Sequence, residues 1–129
     1  YANGIAISPA GDRLYVNEHR KNQILVYDLA GDQATNRRVL IKLSNNCLSA
    51  GESCYEVGPD GVNLDKSGNL WVAHYRAGEI LKISPDGQVL GRVYLPQGDT
   101  PTNVALSPDE KTIYVSESSQ GLILRLPIE

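Results

Sequence analysis

The chain reads as all-β, a run of β-propeller blades amounting to about three four-stranded units, half of a six-bladed ring. Three observations predict this. Three segments superpose: "NGIAISPAGDRLYV" from Asn3, "DGVNLDKSGNLWV" from Asp60 and "TNVALSPDEKTIYV" from Thr102. Within each, apolar residues alternate with period two, the signature of half-buried strands, and no i, i+3, i+4 stripe of helical length appears anywhere. Four antiparallel strands in every ~40–45 residues is the spacing of a propeller blade.

Each element follows from local chemistry. In the first blade, about 1–43, strands are expected near 4–7, 13–17, 23–28 and 37–42, with Ser8-Pro9-Ala10-Gly11 turning the first pair. In the second, about 58–96, they fall near 61–64, 69–73, 79–83 and 89–94, punctuated by Ser67-Gly68 and Ser84-Pro85-Asp86-Gly87. The third, about 100–129, is one strand short, with strands near 103–106, 112–116 and 121–126 around Ser107-Pro108-Asp109. Residues 43–59 form a loop insertion that joins the first blade to Asp60. A blade buries its faces only against its neighbours. Three blades therefore leave two apolar faces open, to be covered by the rest of a longer chain or by a second copy in a two-fold homo-oligomer. Tyr1 already sits inside a repeat unit, so no leader is expected in this stretch.

Hydrophobic content of 41% and charged content of 21% place the chain among globular proteins. Phe and Met are absent and Trp71 is the only tryptophan, so the core must come from Val, Ile, Leu and Ala. A net charge of −3 supplies no basic footprint for nucleic acid or an anionic membrane. No apolar run approaches the ~20 residues that span a bilayer as a helix. Cys47 and Cys54 are too few for a Cys-based zinc site. As a disulfide they would close a short ring, worth about 2.5 kcal/mol in the chain-entropy model. That bond implies a periplasmic or secreted protein, whereas free thiols imply a cytoplasmic one. No G-x-S-x-G elbow supports a serine nucleophile.

The succession "NGIAISPAGDRLYV", "GPDGVNLDKSGNLWVAHY", "GEILKISPDGQVLGRVYLP" and "PTNVALSPDEKTIYVS" resembles the C-terminal half of the gluconolactonase / senescence marker protein (regucalcin) / luciferin-regenerating enzyme family. The resemblance runs over nearly the whole chain, and the NG motif followed by PDG and then G-N-L-W-V-A is its most specific part. It implies a six-bladed propeller with one axial divalent metal, calcium most often and zinc sometimes, that opens sugar lactones by hydrolysis. It also implies that Asn3 and Asp60 are metal ligands, matching the Asn of the NG motif and the Asp of the PDG motif. The third family ligand, a Glu near the chain start, has no counterpart here.

The residue chemistry is compatible with that assignment. A hard cation takes carboxylate and amide oxygens, which Asp60 and Asn3 supply. Asp60 is also the candidate catalytic residue, able to steer or deprotonate an attacking water. Asn-Gly and Asp-Gly are equally the strongest turn dipeptides, so the residues alone leave a plain turn reading open. Glu18, His74 and Glu117 form a second aligned set just past the second strand of each unit. Glu18 and His74, together with Thr102, are candidate substrate-binding groups on the pocket rim, and solvated strand ends are the alternative. His19, in "EHRKN", is expected to be exposed in a polar turn. Two functions compete: a metal-dependent lactonase acting on a small sugar lactone, and a non-catalytic propeller module for ligand binding or self-association.

Overall fold

The computed structural model describes residues 1–44 and 56–128. The first sheet orders β1 (Ala2–Ile7), β2 (Arg13–Glu18), β3 (Gln23–Ala30) and β4 (Gln33–Lys42). The second orders β5 (Gly58–Leu64), β6 (Leu70–Tyr75), β7 (Glu79–Ile83) and β8 (Val89–Tyr94). The third holds β9 (Pro101–Leu106), β10 (Thr112–Glu117) and β11 (Leu122–Pro127). Every pairing is antiparallel between sequence neighbours, the meander of successive propeller blades. A 3-10 turn, His19–Lys21, links β2 to β3. The strand count agrees with the alternation, but two sets of boundaries move. The inner strands β1, β5 and β9 begin two or three residues early, and β4 starts at Gln33 because Gly31-Asp32 makes a two-residue hairpin, pairing Ala30 with Gln33.

Period two decides the packing. Along β6, Leu70 and Val72 point toward the first blade while Trp71 and Ala73 point toward the third, so this strand is buried on both faces. Tyr15, Ile24 and Val26 meet Leu70, Val72, Leu81 and Ile83 across the first seam. Across the second, Trp71, Ala73 and Ile80 meet Val104, Ile113 and Val115. Each such aliphatic side chain contributes about 1.5–3 kcal/mol on full burial. The outer faces of the first and third blades stay open, with Ile5 63%, Ile7 57% and Ile123 74% exposed. At the end carrying the β1–β2, β5–β6 and β9–β10 turns, polar stitches join the blades. The Arg13 guanidinium donates to the Pro85 carbonyl (3.2 Å), the Lys66 ammonium to the Pro108 carbonyl (3.0 Å) and the Lys66 N–H to Glu110 (2.8 Å).

At the opposite end the inner strands all break register at the same level. Ala2 pairs with Glu18 but Ile5 with Val16, so Asn3 and Gly4 together oppose Asn17. Asp60 and Gly61 likewise oppose Ala73, and Thr102 and Asn103 oppose Ser116. Each is a β-bulge, which redirects the side chain it carries. The glycines at the first two bulges answer to space, since neither has a positive φ. A Cβ on Gly4 would lie 2.2 Å from the Asp60 carbonyl oxygen, and one on Gly61 would lie 2.2 Å from Asn103 Oδ1 and 2.7 Å from its Cα. Gly4→Ala is expected to lower stability by about 2 kcal/mol, the cost of forcing backbone apart in a packed seam. Gly91→Ala, on β8 with nothing within 4 Å of its Cβ, should change it by less than about 0.5 kcal/mol. Urea denaturation of both variants measures the difference, and equal effects would refute the close-approach account.

Candidate functional site

Asn3 and Asp60 line one cleft of about 290 Å3 at the bulged end of the first seam. The turn reading of Asn-Gly and Asp-Gly fails, because both dipeptides lie inside strands. The two bulges are held at a fixed offset. The Asn17 side-chain amide, on β2 opposite the first bulge, donates to the Asp60 carbonyl at 2.6 Å. Asn17 is fully buried, and its Oδ1 accepts no hydrogen bond among the described residues. Burial pushes the Asp60 carboxyl above its ordinary range, with the nearby His19 pulling in the opposite direction.

His19 also lines this cleft, together with Tyr1, Arg20, Glu56 and Tyr75. It is half-buried, which corrects the expectation of an exposed turn residue. Its backbone is pinned on three sides. Its N–H donates to the Tyr1 carbonyl (3.0 Å), its carbonyl accepts from the Asn22 N–H (2.9 Å), and Gly58 passes so close that a Cβ there would sit 2.1 Å from the His19 carbonyl oxygen. The His19 ring lies edge-on to Tyr75 at 5.6 Å and tilted to Tyr1 at 6.2 Å, while the Arg20 guanidinium stands 5.2 Å over the Tyr1 ring. In sequence His19 and Tyr75 occupy like places in the first two repeats. Each follows the aligned Glu18 or His74, so each turns back toward the start of an inner strand.

The rim residues expected from sequence go elsewhere. His74 is 0% exposed and is not a lining group of the cleft. Its Nε2 faces Asn22 Oδ1 at 2.8 Å and its Nδ1 faces Glu79 Oε1 at 3.0 Å. Because the Asn22 amide donates to the carbonyls of Leu43 and Ser44, its oxygen must be the atom that meets His74. Arg92 donates twice to Glu79, at 2.8 and 2.9 Å. Burial pushes Glu79 up, but the hydrogen bonds from His74 and Arg92 outweigh it and hold the carboxyl low. Glu18 accepts from Gln23 (2.8 Å), the main reason its carboxyl is lowered, and lies within ion-pair range of Lys21 and Arg37. Thr102 shares a hydrogen bond with Ser116 Oγ at 2.7 Å. Glu117 is nearly buried and accepts from the Thr100 and Ser119 hydroxyls and from the N–H groups of Thr100, Ser119 and Gln120. Glu18 and Glu117 therefore anchor corners of their own blades, and His74 ties the second blade to the first through Asn22. Cys47 and Cys54 lie outside the described residues, as does most of the 43–59 insertion.

The donor set suits a hard cation in part. Asn3 and Asp60 offer an amide and a carboxylate oxygen to one cleft, with the orphaned Asn17 oxygen behind them. Among the described residues no three His, Cys, Asp or Glu gather closely enough to hold an ion. Glu56, the other carboxylate in the lining, is paired with Arg76 at 3.0 Å.

Two titrations follow. Burial pushes Glu117 up, but its hydrogen bonds from Ser119, Thr100 and Gln120 win and bring it down to about 2 from 4.5. Its stabilisation is thus complete above the unfolded value and is lost as pH falls toward 2, so Glu117→Gln should cost about 2–3 kcal/mol at pH 7 and progressively less below pH 4. Asp60 behaves oppositely, since a raised carboxyl opposes folding once it ionises. Asp60→Asn should stabilise the metal-free protein above pH 5 by on the order of 0.5 kcal/mol after solvent screening, with the gain vanishing in acid. Denaturation midpoints across pH check both signs.

Comparison with known proteins agrees with this frame. The SMP-30/Gluconolactonase/LRE-like region matches residues 1–120. The chain is 33% identical over 103 residues to a regucalcin of Xenopus laevis, covering 79% of this chain and 31% of that protein. It is 32% identical over 122 residues to the 6-deoxy-6-sulfogluconolactonase of Pseudomonas putida, covering 93% of this chain and 39% of that protein. The fold superposes on a luciferin-regenerating enzyme with a TM-score of 0.76 at 29% identity, covering 94% of this chain and 38% of that one. The chain thus spans between about three and four tenths of the length of these relatives. Matched by the family along almost all of its length, and carrying the NG and PDG motifs on equivalent bulges, this chain belongs to the SMP-30/gluconolactonase/LRE-like family.

Proposed function

We propose that this chain forms part of a metal-dependent lactone hydrolase of the gluconolactonase type. The observation that carries the reading is that Asn3 and Asp60, on matching bulges of adjacent blades, line a single cleft. Family membership and the lactonase among the relatives support the reaction class. Calcium suits the oxygen donors best, with zinc as the second choice. The remaining blades, from a longer chain or a second copy, would cover the open faces at Ile5, Ile7 and Ile123 and supply the missing carboxylate.

A divalent cation held by Asn3 and Asp60 would supply Lewis-acid polarisation of the lactone carbonyl. Asp60 orients the attacking water and takes one of its protons as the oxygen adds to the carbonyl carbon. The ring C–O bond then breaks, and the departing oxygen receives a proton to leave the open hydroxy acid. Asn3 fixes the geometry without changing charge.

Hydrolysis of D-glucono-1,5-lactone, followed by acid release with added calcium or zinc, tests the reading. Asp60→Ala is expected to lower kcat/KM by about 100-fold or more while the fold persists. Full activity in that variant, or no turnover and no metal bound in the parent protein, would favour the second reading of a non-catalytic propeller module. What keeps the second reading in play is that, among the described residues, no three His, Cys, Asp or Glu gather closely enough to hold an ion.

A further inference from the structure

We infer that the ring-lined side of the Asp60 cleft selects a sugar lactone bearing an anionic substituent, with its ring face against Tyr75 and His19 and its anion on Arg20. This rests on the lactone reading above and adds the class of substituent. Three features of the cleft carry it.

The rings form a continuous run, from Tyr75 through His19 to Tyr1, with Arg20 at its far end. Aromatic faces accept the apolar C–H face of a saturated sugar ring while its hydroxyls point away to polar groups, the mixed lining that small-ligand sites use. The run is also preorganised. His19 at its centre has both backbone polar groups bonded, and Gly58 is packed against its carbonyl, so the ring is presented from a fixed point. A residue on a mobile turn would lose more freedom on binding.

Arg20 is the third feature. Its guanidinium stacks over Tyr1 and meets no carboxylate among the described residues. The acids close enough to compete are engaged: Glu56 pairs with Arg76, and Glu18 takes Gln23, Lys21 and Arg37. Stacking occupies only the face of the guanidinium and leaves its in-plane N–H fork for a carboxylate, sulfonate or phosphate. The cleft therefore holds Asp60, close enough to the central ring of His19 to feel its charge, the Glu56 carboxylate engaged by Arg76, and one exposed cation, Arg20, at the far end of the row of rings. An anionic substituent placed toward Asp60 would be repelled, so the cation also sets which end of the ligand enters first.

Calorimetric titration of the purified chain with two lactones tests this. D-Glucaro-1,4-lactone carries a carboxylate where D-glucono-1,4-lactone carries a hydroxymethyl group. The parent protein should bind the first at least fivefold more tightly in low salt, and Arg20→Gln should collapse that ratio to within twofold. Tyr75→Leu should weaken both lactones several-fold and keep the ratio. Equal affinity in the parent protein, binding of neither lactone, or an unchanged ratio in Arg20→Gln overturns the inference. Turnover of D-glucono-1,5-lactone, measured in parallel, separates the two readings. A charge preference without turnover defeats only the proposed reaction, and turnover without a preference defeats only this inference.

Discussion

Backbone of one blade touching backbone of the next, close to the axis, is the constraint on which the rest depends. Four-stranded sheets can fan around an axis only if their innermost strands crowd together. Here the crowding is met by a glycine at the second position of each seam-facing bulge, with Gly4 against Asp60 and Gly61 against Asn103. The same bulges carry Asn3 and Asp60, so in each dipeptide the packing glycine is the immediate neighbour of a proposed ligand. The third unit departs from the pattern in an instructive way. Its bulge holds Thr102 and Asn103, and Asn103 is exposed because no blade packs beyond it among the described residues.

The aligned ends of the second strands show how one topological position is filled by different chemistry. Glu18, His74 and Glu117 sit opposite Ala2, Pro59 and Pro101, where the chain must turn outward into the third strand. Glu18 holds the Gln23 amide, and Glu117 gathers hydroxyl and N–H donors from Thr100 and from the residues just after it. His74 solves the same problem with one oxygen partner on each ring nitrogen, Asn22 Oδ1 and Glu79 Oε1, and Arg92 in turn holds Glu79. Through Asn22 it also ties the second blade to Leu43 and Ser44, where the first blade ends. A buried group satisfied on every side adds rigidity, and that rigidity keeps the neighbouring cleft in shape.

The alternation of Val, Ile and Leu with polar residues was enough to find every strand in the described residues, because a two-residue period has one physical interpretation when turns bound it. The repeat set unlike oxygen donors, Asn3 and Asp60, at like positions, and it was the family resemblance that singled them out as candidate ligands. The sequence misled at strand ends. A bulge looks like a turn when written in one dimension, since Asn-Gly and Asp-Gly suit both. His74 looked like a rim residue because a histidine at a strand end is ordinarily wet, and its partners Asn22 and Glu79 come from a neighbouring blade and a neighbouring strand. His19 and Tyr75 were hidden for a related reason: their meeting depends on the seam between blades, which no single repeat contains.

The two ends of the blades are built to different standards, and the difference supports the proposed site independently of any motif. At the turn end polar groups are closed off locally. Ser8 caps Asp12 and Arg13, Asp65 takes Ser67, Asn69 and Trp71, and Ser107 binds Asp109. At the bulged end Asn17 Oδ1 and His19 Nδ1 are buried without a hydrogen-bond partner among the described residues, and Asp60 is held in a setting that disfavours its own charge. Each of these lowers stability, by about 1–3 kcal/mol for a buried unsatisfied group. A chain that closes every polar group at one end has the means to do so at the other. Local consistency lapses at this seam, and the ligand proposed above would supply the missing partners.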